Sequence, residues 1–262
     1  ESGVHVHAFS PLEVTHGAQT LGLSIRDYLT MLKAEGLGSL PGTAAEILDD
    51  DVRAIICPDK LNSAEWLNVV ETAHEVGLRT TATIMFGHVD GPRHWARHLL
   101  AIGDVQARTG GFTEFVPLPF VHMEAPLARK GRTRAGPTFR EVRLMHAIAR
   151  LVLHPLIENI QVSWTKLGFQ GAAICLDGGC NDLGGTLMNE SISRAAGANH
   201  GQEAPPERLE ALIASIGRTP RPRNTLYADA DPALIARAKS AGELTAPVQT
   251  PLRKIRKQKE TT

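Results

Sequence analysis

The chain has 262 residues, enough to bury a large hydrophobic core, and its 28 Lys and Arg residues balance its 28 Asp and Glu residues. A net charge of zero provides no long-range field for nucleic acid or an anionic membrane, and no apolar run approaches the roughly 20 residues of a membrane span. The cysteines Cys57, Cys175 and Cys180 are sparse and odd in number, which argues against a disulfide framework. We therefore expect a cytoplasmic protein that binds neither nucleic acid nor membrane.

The first half of the chain alternates strand and helix patterns. Residues 4–9 alternate apolar and polar side chains and predict a strand, which residues 10–13 leave as a loop. A strand this close to the first residue favours a fragment of a longer protein. Further strands are predicted at 37–40 and 80–86, and helices are predicted to start at Ser24, Thr43, Ser63 and Pro92.

The second half continues the alternation. Strands are predicted at 112–118, 159–164 and 172–176, with a helix from Thr138 after the first of them. Residues 52–57 resemble a further strand, but Pro58 and the number of strands argue against it. Two later helices are predicted to begin at Pro206 and after Asp231, and the Lys- and Arg-rich residues 250–262 are predicted to be a flexible, solvated tail.

This alternation predicts an α/β fold with right-handed βαβ crossovers and a parallel sheet. Six strands are two fewer than a TIM-type (β/α) barrel contains, and a full barrel takes about 250 residues. We interpret residues 1–200 as strands 3 to 8 of a barrel that lacks its first two units. A helical extension (201–249) and the basic tail (250–262) follow. An open, doubly wound sheet is the alternative architecture.

A Gly-rich stretch at 178–190 surrounds the pair Asn181-Asp182. Glycines allow tight turns and close approach of the backbone to a ligand. Because the stretch follows the predicted strand 172–176, the pair is expected at the edge of the sheet where α/β proteins place their chemistry.

Histidines recur on or after the predicted strands. His5, His7, His88 and His122, together with Asp182, have the donor types and the spacing of a zinc site in a barrel, as in zinc-dependent amidohydrolases. In the other interpretation, His5 and His7 hydrogen-bond a substrate or neighbouring residues. The residues alone leave both open.

Two weaker motifs end strands. Thr83-x-Met85-x-Gly87-x-x-Asp90 is either a turn whose backbone contacts an adenine edge or an ordinary strand-to-helix turn. Pro41-Gly42-Thr43-x-x-Glu46 reads as a helix start with an acid favoured by the helix dipole. The sequence contains no Gly-x-Gly-x-x-Gly, Walker or Gly-x-Ser-x-Gly motif.

Taken together, several segments carry a resemblance to a known family. They are His5-Val-His7-Ala-Phe-Ser-Pro-Leu-Glu13, Gly38-Ser-Leu-Pro-Gly42-Thr-Ala-Ala-Glu46, the strand at 80–88, Pro117-Leu-Pro-Phe120, Asn159-Ile-Gln-Val-Ser-Trp164-Thr-Lys-Leu-Gly168, Asn181-Asp-Leu-Gly-Gly-Thr186 and Arg223-Asn-Thr-Leu-Tyr227. This set resembles the radical S-adenosylmethionine (SAM) enzymes that make FO and futalosine-route menaquinone precursors. It is most similar to the tyrosine-handling, C-terminal half of the FO synthase family.

The resemblance implies an activity. The family uses SAM and a [4Fe–4S] cluster to join the hydroxybenzyl part of L-tyrosine to 5-amino-6-(D-ribitylamino)uracil, with a deazaflavin-forming half as a further partner. It implies SAM contacts for Pro41, Gly42, Glu46, Met85 and Gly87, substrate contacts for His5, Ser10, Trp164 and Asn181, and catalytic roles for His7, Glu13 and Asp182. A related futalosine-route enzyme is an alternative.

The sequence departs from the family in its cysteines. The family holds the cluster in Cys-x-x-x-Cys-x-x-Cys, and Cys57, Cys175 and Cys180 have no such spacing. The cluster ligands are therefore expected upstream of this chain, and the chain alone is expected to be inactive or to bind a partner half. Asp90 stands where the resemblance implies Glu.

Overall fold

A computed structural model describes residues 4–187, 189–240 and 242 of the chain. Within these residues the strands are β1 (Val6–His7), β2 (Leu37–Leu40), β3 (Arg79–Phe86) and β4 (Phe112–Pro119). The helices are α1 (Pro11–Leu21), α2 (Ile25–Ala34), α3 (Asp50–Ile56), α4 (Ser63–Glu75), α5 (Pro92–Thr109), α6 (Pro126–Arg129), α7 (Phe139–Leu153), α8 (Trp164–Asp177), α9 (Ile192–Ala195), α10 (Pro206–Ser215) and α11 (Pro232–Lys239).

The strands form one parallel sheet in the order β1-β2-β3-β4. Two single parallel bridges extend it in the same order, from Phe115 to Ile160 and from Gln161 to Asp182. Each strand therefore pairs with the one before it in the chain. The predicted α/β class with a parallel sheet is confirmed. A doubly wound sheet reverses its strand order at a switch point, and this order does not.

One face of the sheet packs against the helices. Ala82, Ile84 and Phe86 alternate along β3, are fully buried, and lie in one core with Trp66 of α4 and Leu99 of α5. The alternate positions point to the opposite face, because successive side chains of a strand do so. We call this opposite face the inner face; its side chains include those of Thr81, Thr83, Met85, Glu114 and Gln161.

The loop after β2 crosses β3 at very short range. The Gly42 amide donates to Thr81 Oγ1 at 2.7 Å, and Thr83 Oγ1 donates to the Gly42 carbonyl at 2.6 Å. A Cβ atom on Gly42 would lie 1.9 Å from the carbonyl oxygen of Thr81. Only glycine fits at this position.

A buried arginine holds the rest of this loop. Arg53 of α3 is 3% exposed, and its guanidinium donates to backbone carbonyls of the loop, including Ala45 and Ile47, and to Leu61. Ala44 and Glu46 have φ angles of 60° and 45°, which L-residues rarely adopt. The predicted helix from Thr43 is therefore wrong, and the helix begins only at Asp50, capped by Asp49.

Three other local predictions are wrong. Residues 10–13 begin α1 rather than a loop, because Ser10 and Glu13 form a reciprocal capping box. Residues 172–176 belong to α8 rather than to a strand. Residues 159–164 contribute single bridges at Ile160 and Gln161 rather than a full strand.

The predicted domain boundaries stay predictions. Leu209 of α10 is 8% exposed and belongs to the main core, so the predicted extension is packed on the rest of the protein. The predicted tail at 250–262 lies outside the described residues. Among the described helices, none is both long and apolar enough to cross a bilayer.

The close approach at Gly42 yields a stability test. Gly42→Ala forces a methyl group against the β3 backbone, and we expect the free energy of unfolding to fall by about 1–3 kcal/mol, as for other overpacked sites. Urea unfolding measures it. Gly185→Ala is the matched control, since nothing lies within 4 Å of its Cβ position. Equal effects of both substitutions would contradict the steric argument.

Candidate active site

A cavity opens beyond the carboxyl ends of the strands, a region we call the mouth. Its volume is about 210 Å³, and its lining includes Glu46 from the loop after β2, Met85 and His88 from the end of β3, and Phe120 after β4. Consecutive parallel strands thus bring residues distant in sequence to one opening. This is the usual position of a ligand site in a parallel α/β fold.

Glu46 joins the first two loops of the mouth. Its carboxylate pairs with Lys60 Nζ at 2.7 Å, and its carbonyl accepts from the Met85 amide at 2.7 Å. Pro41 and Gly42 precede it in the same loop, and Gly87 follows Met85. The five predicted SAM contacts therefore lie in the loop after β2 and at the end of β3. Of these, Glu46 and Met85 line the cavity.

The turn after β3 is fixed by Asp90. Its carboxylate accepts from the amides of Gly87 and His88 at 2.7–3.0 Å and from Trp95 Nε1. Burial alone would raise the pKa of Asp90, but the neighbouring His88 and these hydrogen bonds hold it below its ordinary value. The Gly87 amide thus already donates to a carboxylate of the protein itself.

His88 is a neutral imidazole in this turn. Its Nδ1 accepts from the Val89 amide at 2.8 Å, so Nε2 carries the proton and donates to the Met85 carbonyl at 3.0 Å. Burial lowers the pKa of His88. Both ring nitrogens are occupied by the backbone.

His5 and His7 converge on β2. Nε2 of His5 and Nδ1 of His7 each lie 2.7 Å from the buried Ser39 Oγ. Burial and the neighbouring His5 lower the pKa of His7. The zinc alternative is not supported, because in the part of the chain that the structure describes no three His, Cys, Asp or Glu side chains come together to hold a metal.

A buried polar cluster lies on the inner face of the sheet. Arg223 donates two hydrogen bonds to Asp182, from Nε to Oδ2 at 2.6 Å and from Nη2 to Oδ1 at 2.9 Å. Tyr227 donates to Glu114 Oε2 at 2.5 Å, and Gln161 donates to the same oxygen at 2.7 Å. We call these five residues the floor, because Glu114 and Asp182 lie within the sheet rather than beyond its carboxyl ends.

The floor is tied together electrostatically. The Arg223 guanidinium stacks over the Tyr227 ring at 4.0 Å. Burial alone would lower the pKa of Arg223, but its hydrogen bonds to Asp182 and the charge of Asp182 raise it. Burial raises the pKa of Glu114, and burial with the charges of Glu114 and Asp182 raises that of Tyr227. A bidentate Arg–carboxylate pair of this kind fixes orientation as well as charge.

The remaining predicted site residues have partners within the protein. Ser10 and Glu13 occupy each other in the capping box of α1, which lowers the pKa of Glu13. Asn181 Oδ1 accepts from Arg150 and from the Ile160 amide, both at 2.8 Å. Trp164 is 2% exposed and stacks on Phe169. Their assignment to substrates stays a prediction.

The prediction missed several polar residues of the site. Glu114 and Tyr227 looked like an ordinary strand residue and a late loop residue, and only the fold brings them together across 113 positions. Lys166, in the first turn of α8, donates to Ser193 Oγ at 3.3 Å, and the Ser193 amide donates to Glu190 Oε1 at 2.7 Å. The one available signal was that Tyr227 and Lys166 both lie inside segments that carry the family resemblance.

The cysteines do not form a cluster nest. All three are buried and free. Burial raises the pKa of Cys175 to about 11 and raises that of Cys180 further, whereas cluster ligation needs thiolates.

Comparison with known proteins gives close relatives. Residues 109–234 match a protein family described as the CofH/MqnC C-terminal region. The chain is 57% identical over 225 residues to an FO synthase of Streptomyces coelicolor. It is 54% identical over 224 residues to the 5-amino-6-(D-ribitylamino)uracil–L-tyrosine 4-hydroxyphenyl transferase of Methanothermobacter thermautotrophicus. Each match covers 86% of this chain.

The chain spans only part of these relatives, 26% of the Streptomyces protein and 61% of the Methanothermobacter protein. Among solved structures, methylornithine synthase is similar over 87% of this chain and 65% of its own, with a TM-score of 0.53 and 14% identity. At that identity the similarity concerns the fold alone.

The floor predicts a large stability effect. Arg223→Met leaves the Asp182 carboxylate without its cation, and we expect the free energy of unfolding to fall by about 3 kcal/mol, as for other broken buried pairs. Urea unfolding measures the loss. Arg221→Met is the control, because its pair with Asp229 is 74% and 71% exposed and should change little when removed. Similar losses in both variants would contradict the distinction.

Glu114 predicts a pH dependence. Because its pKa is raised in the folded protein above the ordinary 4.5, the folded state binds this proton more tightly than the unfolded chain does. Its contribution to stability therefore falls as the pH rises from about 4.5 through the folded pKa. Glu114→Gln does not ionise, so the unfolding free energy of the variant minus that of the wild type should increase over this interval. A constant difference in urea unfolding at successive pH values would contradict the raised pKa.

Proposed function

We infer, from its similarity to the CofH/MqnC C-terminal region and to FO synthases, that this chain is the C-terminal part of a radical SAM transferase of deazaflavin synthesis. The reaction joins the hydroxybenzyl part of L-tyrosine to 5-amino-6-(D-ribitylamino)uracil, and the coupled product is then converted by the deazaflavin-forming half to FO, the precursor of coenzyme F(420). The observation that carries this proposal is the 54% identity to a relative named for that transfer, over 86% of this chain.

We further propose that the sheet is strands 3 to 8 of a (β/α) barrel whose first two units lie outside this chain. Two observations support the barrel. The strand order is sequential and parallel throughout, and the polar inner face would become the lumen of a closed sheet. The fold similarity to methylornithine synthase over 87% of the chain is consistent with it. In this proposal α10 packs outside the barrel, whereas Arg223 and Tyr227 reach into its lumen.

The mouth suits SAM. SAM carries an adenosine, a sulfonium and an amino-acid head, and the mouth offers a cavity with an apolar wall at Met85 and Phe120 and an acid at Glu46. Pro41, Gly42 and Gly87 supply the narrow turns between them. Bound SAM supplies the radical chemistry of the family; this chain's residues would hold it and exclude water.

The iron–sulfur cluster does not fit this chain. Its three cysteines are buried, and among the described residues no three His, Cys, Asp or Glu side chains come together to hold a metal. Burial also raises the pKa of the Cys175 and Cys180 thiols. We therefore assign no electron-transfer step to the chain and propose that the cluster ligands belong to residues outside it.

The floor and the β1 histidines are the proposed substrate side. Asp182, paired with Arg223, and Glu114, whose pKa burial raises, offer two carboxyl groups to the lumen. His5 and His7 are exposed beside Ser39 and offer ring nitrogens. We propose that Asp182 and His7 orient the substrates, while Ser10 and Glu13 hold the start of α1 in place beside His7. Asn181 and Trp164 fix the last strand and its turn.

A second candidate is a related enzyme of the futalosine route. The matching family is described by two names, CofH and MqnC, so the match over residues 109–234 does not separate the two. The names of the two curated relatives favour the tyrosine reaction.

The test uses the complete protein that contains this chain, purified without oxygen. Supplied with SAM, a reductant, L-tyrosine and 5-amino-6-(D-ribitylamino)uracil, it should bind iron and sulfide and form the coupled product, detected by mass spectrometry. Residues 1–262 alone, treated with iron and sulfide, should hold no stoichiometric cluster and form no product.

Two outcomes would count against the proposal. SAM cleavage with a futalosine-type substrate but not with tyrosine would favour the second candidate. A stoichiometric cluster on residues 1–262 alone would overturn the assignment of its ligands to another segment.

A further inference from the structure

We propose that Lys166, Ser193 and Glu190 form a site for the zwitterionic head group of an α-amino acid, with Lys166 binding the carboxylate and Glu190 the ammonium. The inference rests on the proposed function for the identity of the ligand, because both L-tyrosine and the methionyl part of SAM carry this head group. The residues themselves specify only the head-group chemistry.

The first element is a cation without an anion. Lys166 is half-buried in the first turn of α8, and its Nζ donates to Ser193 Oγ at 3.3 Å. Among the described residues, no carboxylate forms an ion pair with it. Buried ammonium groups are normally paired, since desolvating a charge is costly. Lys166 therefore has donors available for a ligand.

The second element is an acid with a free oxygen. Glu190 Oε1 accepts from the Ser193 amide at 2.7 Å, but Oε2 is buried and has no hydrogen-bond partner among the described residues. An unsatisfied buried carboxylate oxygen is rare in proteins and commonly indicates a missing partner. A ligand ammonium would supply the missing donor.

Ser193 couples the two charges. It is 3% exposed, receives the Lys166 hydrogen bond at its hydroxyl, and directs its amide to Glu190. Its hydroxyl also lies 3.4 Å from Thr165 Oγ1. One residue thus contacts both the cation and the acid, while no ion pair joins Lys166 directly to Glu190 among the described residues.

The cluster is connected to one loop of the mouth. The chain between Glu190 and Gly197 is tied to the loop after β4, since the Glu124 amide donates to the Ala196 carbonyl at 3.0 Å. The charge of Glu46, on the cavity wall, also acts on Lys166. Burial lowers the pKa of Lys166, and the charges of Glu190 and Glu46 only partly offset this. A bound carboxylate would add a negative charge that stabilises the protonated Lys166.

The experiment measures binding to the complete protein by calorimetry, with three probes. L-tyrosine carries both charges, tyramine lacks the carboxylate, and 3-(4-hydroxyphenyl)propionate lacks the ammonium. We expect Lys166→Met to weaken tyrosine binding about 10- to 100-fold and to leave tyramine binding nearly unchanged. Glu190→Gln should weaken tyrosine binding similarly and leave the binding of 3-(4-hydroxyphenyl)propionate nearly unchanged.

Controls separate binding from folding. Lys166→Arg keeps the charge and should lose less affinity than Lys166→Met. Lys33 lies in the last turn of α2 and is not part of the proposed site, so Lys33→Met should bind tyrosine as the wild type does. Melting temperatures of all variants show whether each is folded. An equal loss for tyrosine and tyramine, or no loss for either, would overturn the proposal for tyrosine.

A parallel titration identifies the source of the head group. If the methionyl part of SAM occupies the site, Lys166→Met should weaken SAM about 10- to 100-fold but not decarboxylated SAM, and tyrosine binding should be unaffected. A wild-type protein that binds no tyrosine overturns the proposed function, and the SAM titration then decides the site alone. Equal losses for SAM and its decarboxylated analogue, with no selective effect on tyrosine, overturn the site itself.

Discussion

The mouth depends on how closely the loop after β2 approaches β3. Gly42 lies between the hydroxyls of Thr81 and Thr83, and no side chain fits there. Once the loop is placed, Arg53 gathers its carbonyls and holds Ala44 and Glu46 at positive φ. Backbone strain of this kind persists only where the surroundings over-determine it. The position of Glu46 against Met85, and hence one wall of the cavity, follows from these contacts.

The two polar regions differ in how they are satisfied. In the floor, Asp182, Arg223, Glu114 and Tyr227 complete one another's hydrogen bonds, so the protein itself stabilises their charges. Lys166 and Glu190 at the mouth each retain capacity for a further partner. A satisfied network confers rigidity, whereas an incomplete one at an opening indicates ligand binding. In our proposals, the rigid floor orients the substrates, and Lys166 and Glu190 bind the ligand head group.

The strand and helix alternation was predictable because β3, β4, α5 and α7 have long, regular apolar patterns. The failures have physical causes. The apolar run 172–176 has only five residues, which is too short to distinguish a buried helix from a strand. Gly168, at φ 70°, interrupts the helical pattern that would have indicated the start of α8. No helix begins at Thr43, because Arg53 donates hydrogen bonds to the carbonyls of this loop, and a local sequence pattern does not reveal such tertiary contacts. The Ser10–Glu13 pair is itself a local signal for a helix start, and it contradicts the loop predicted over residues 10–13. For the site, the family resemblance named Glu46, Met85 and Asp182 as candidates, whereas the contacts of Glu114, Tyr227 and Lys166 join residues distant in sequence.

The sequential strand order has a consequence for synthesis on the ribosome. Each strand pairs with the one translated before it, so the sheet can grow by one unit at a time as the chain emerges. The floor cannot form stepwise in this way, because Tyr227 binds Glu114, which lies 113 residues earlier in the chain. At a translation rate of about 5–20 residues per second, Glu114 waits roughly 6–23 s for its partner, apart from the time in the exit tunnel. During that interval Glu114 lacks the Tyr227 hydroxyl, so the nascent chain can form its sheet before it completes the floor.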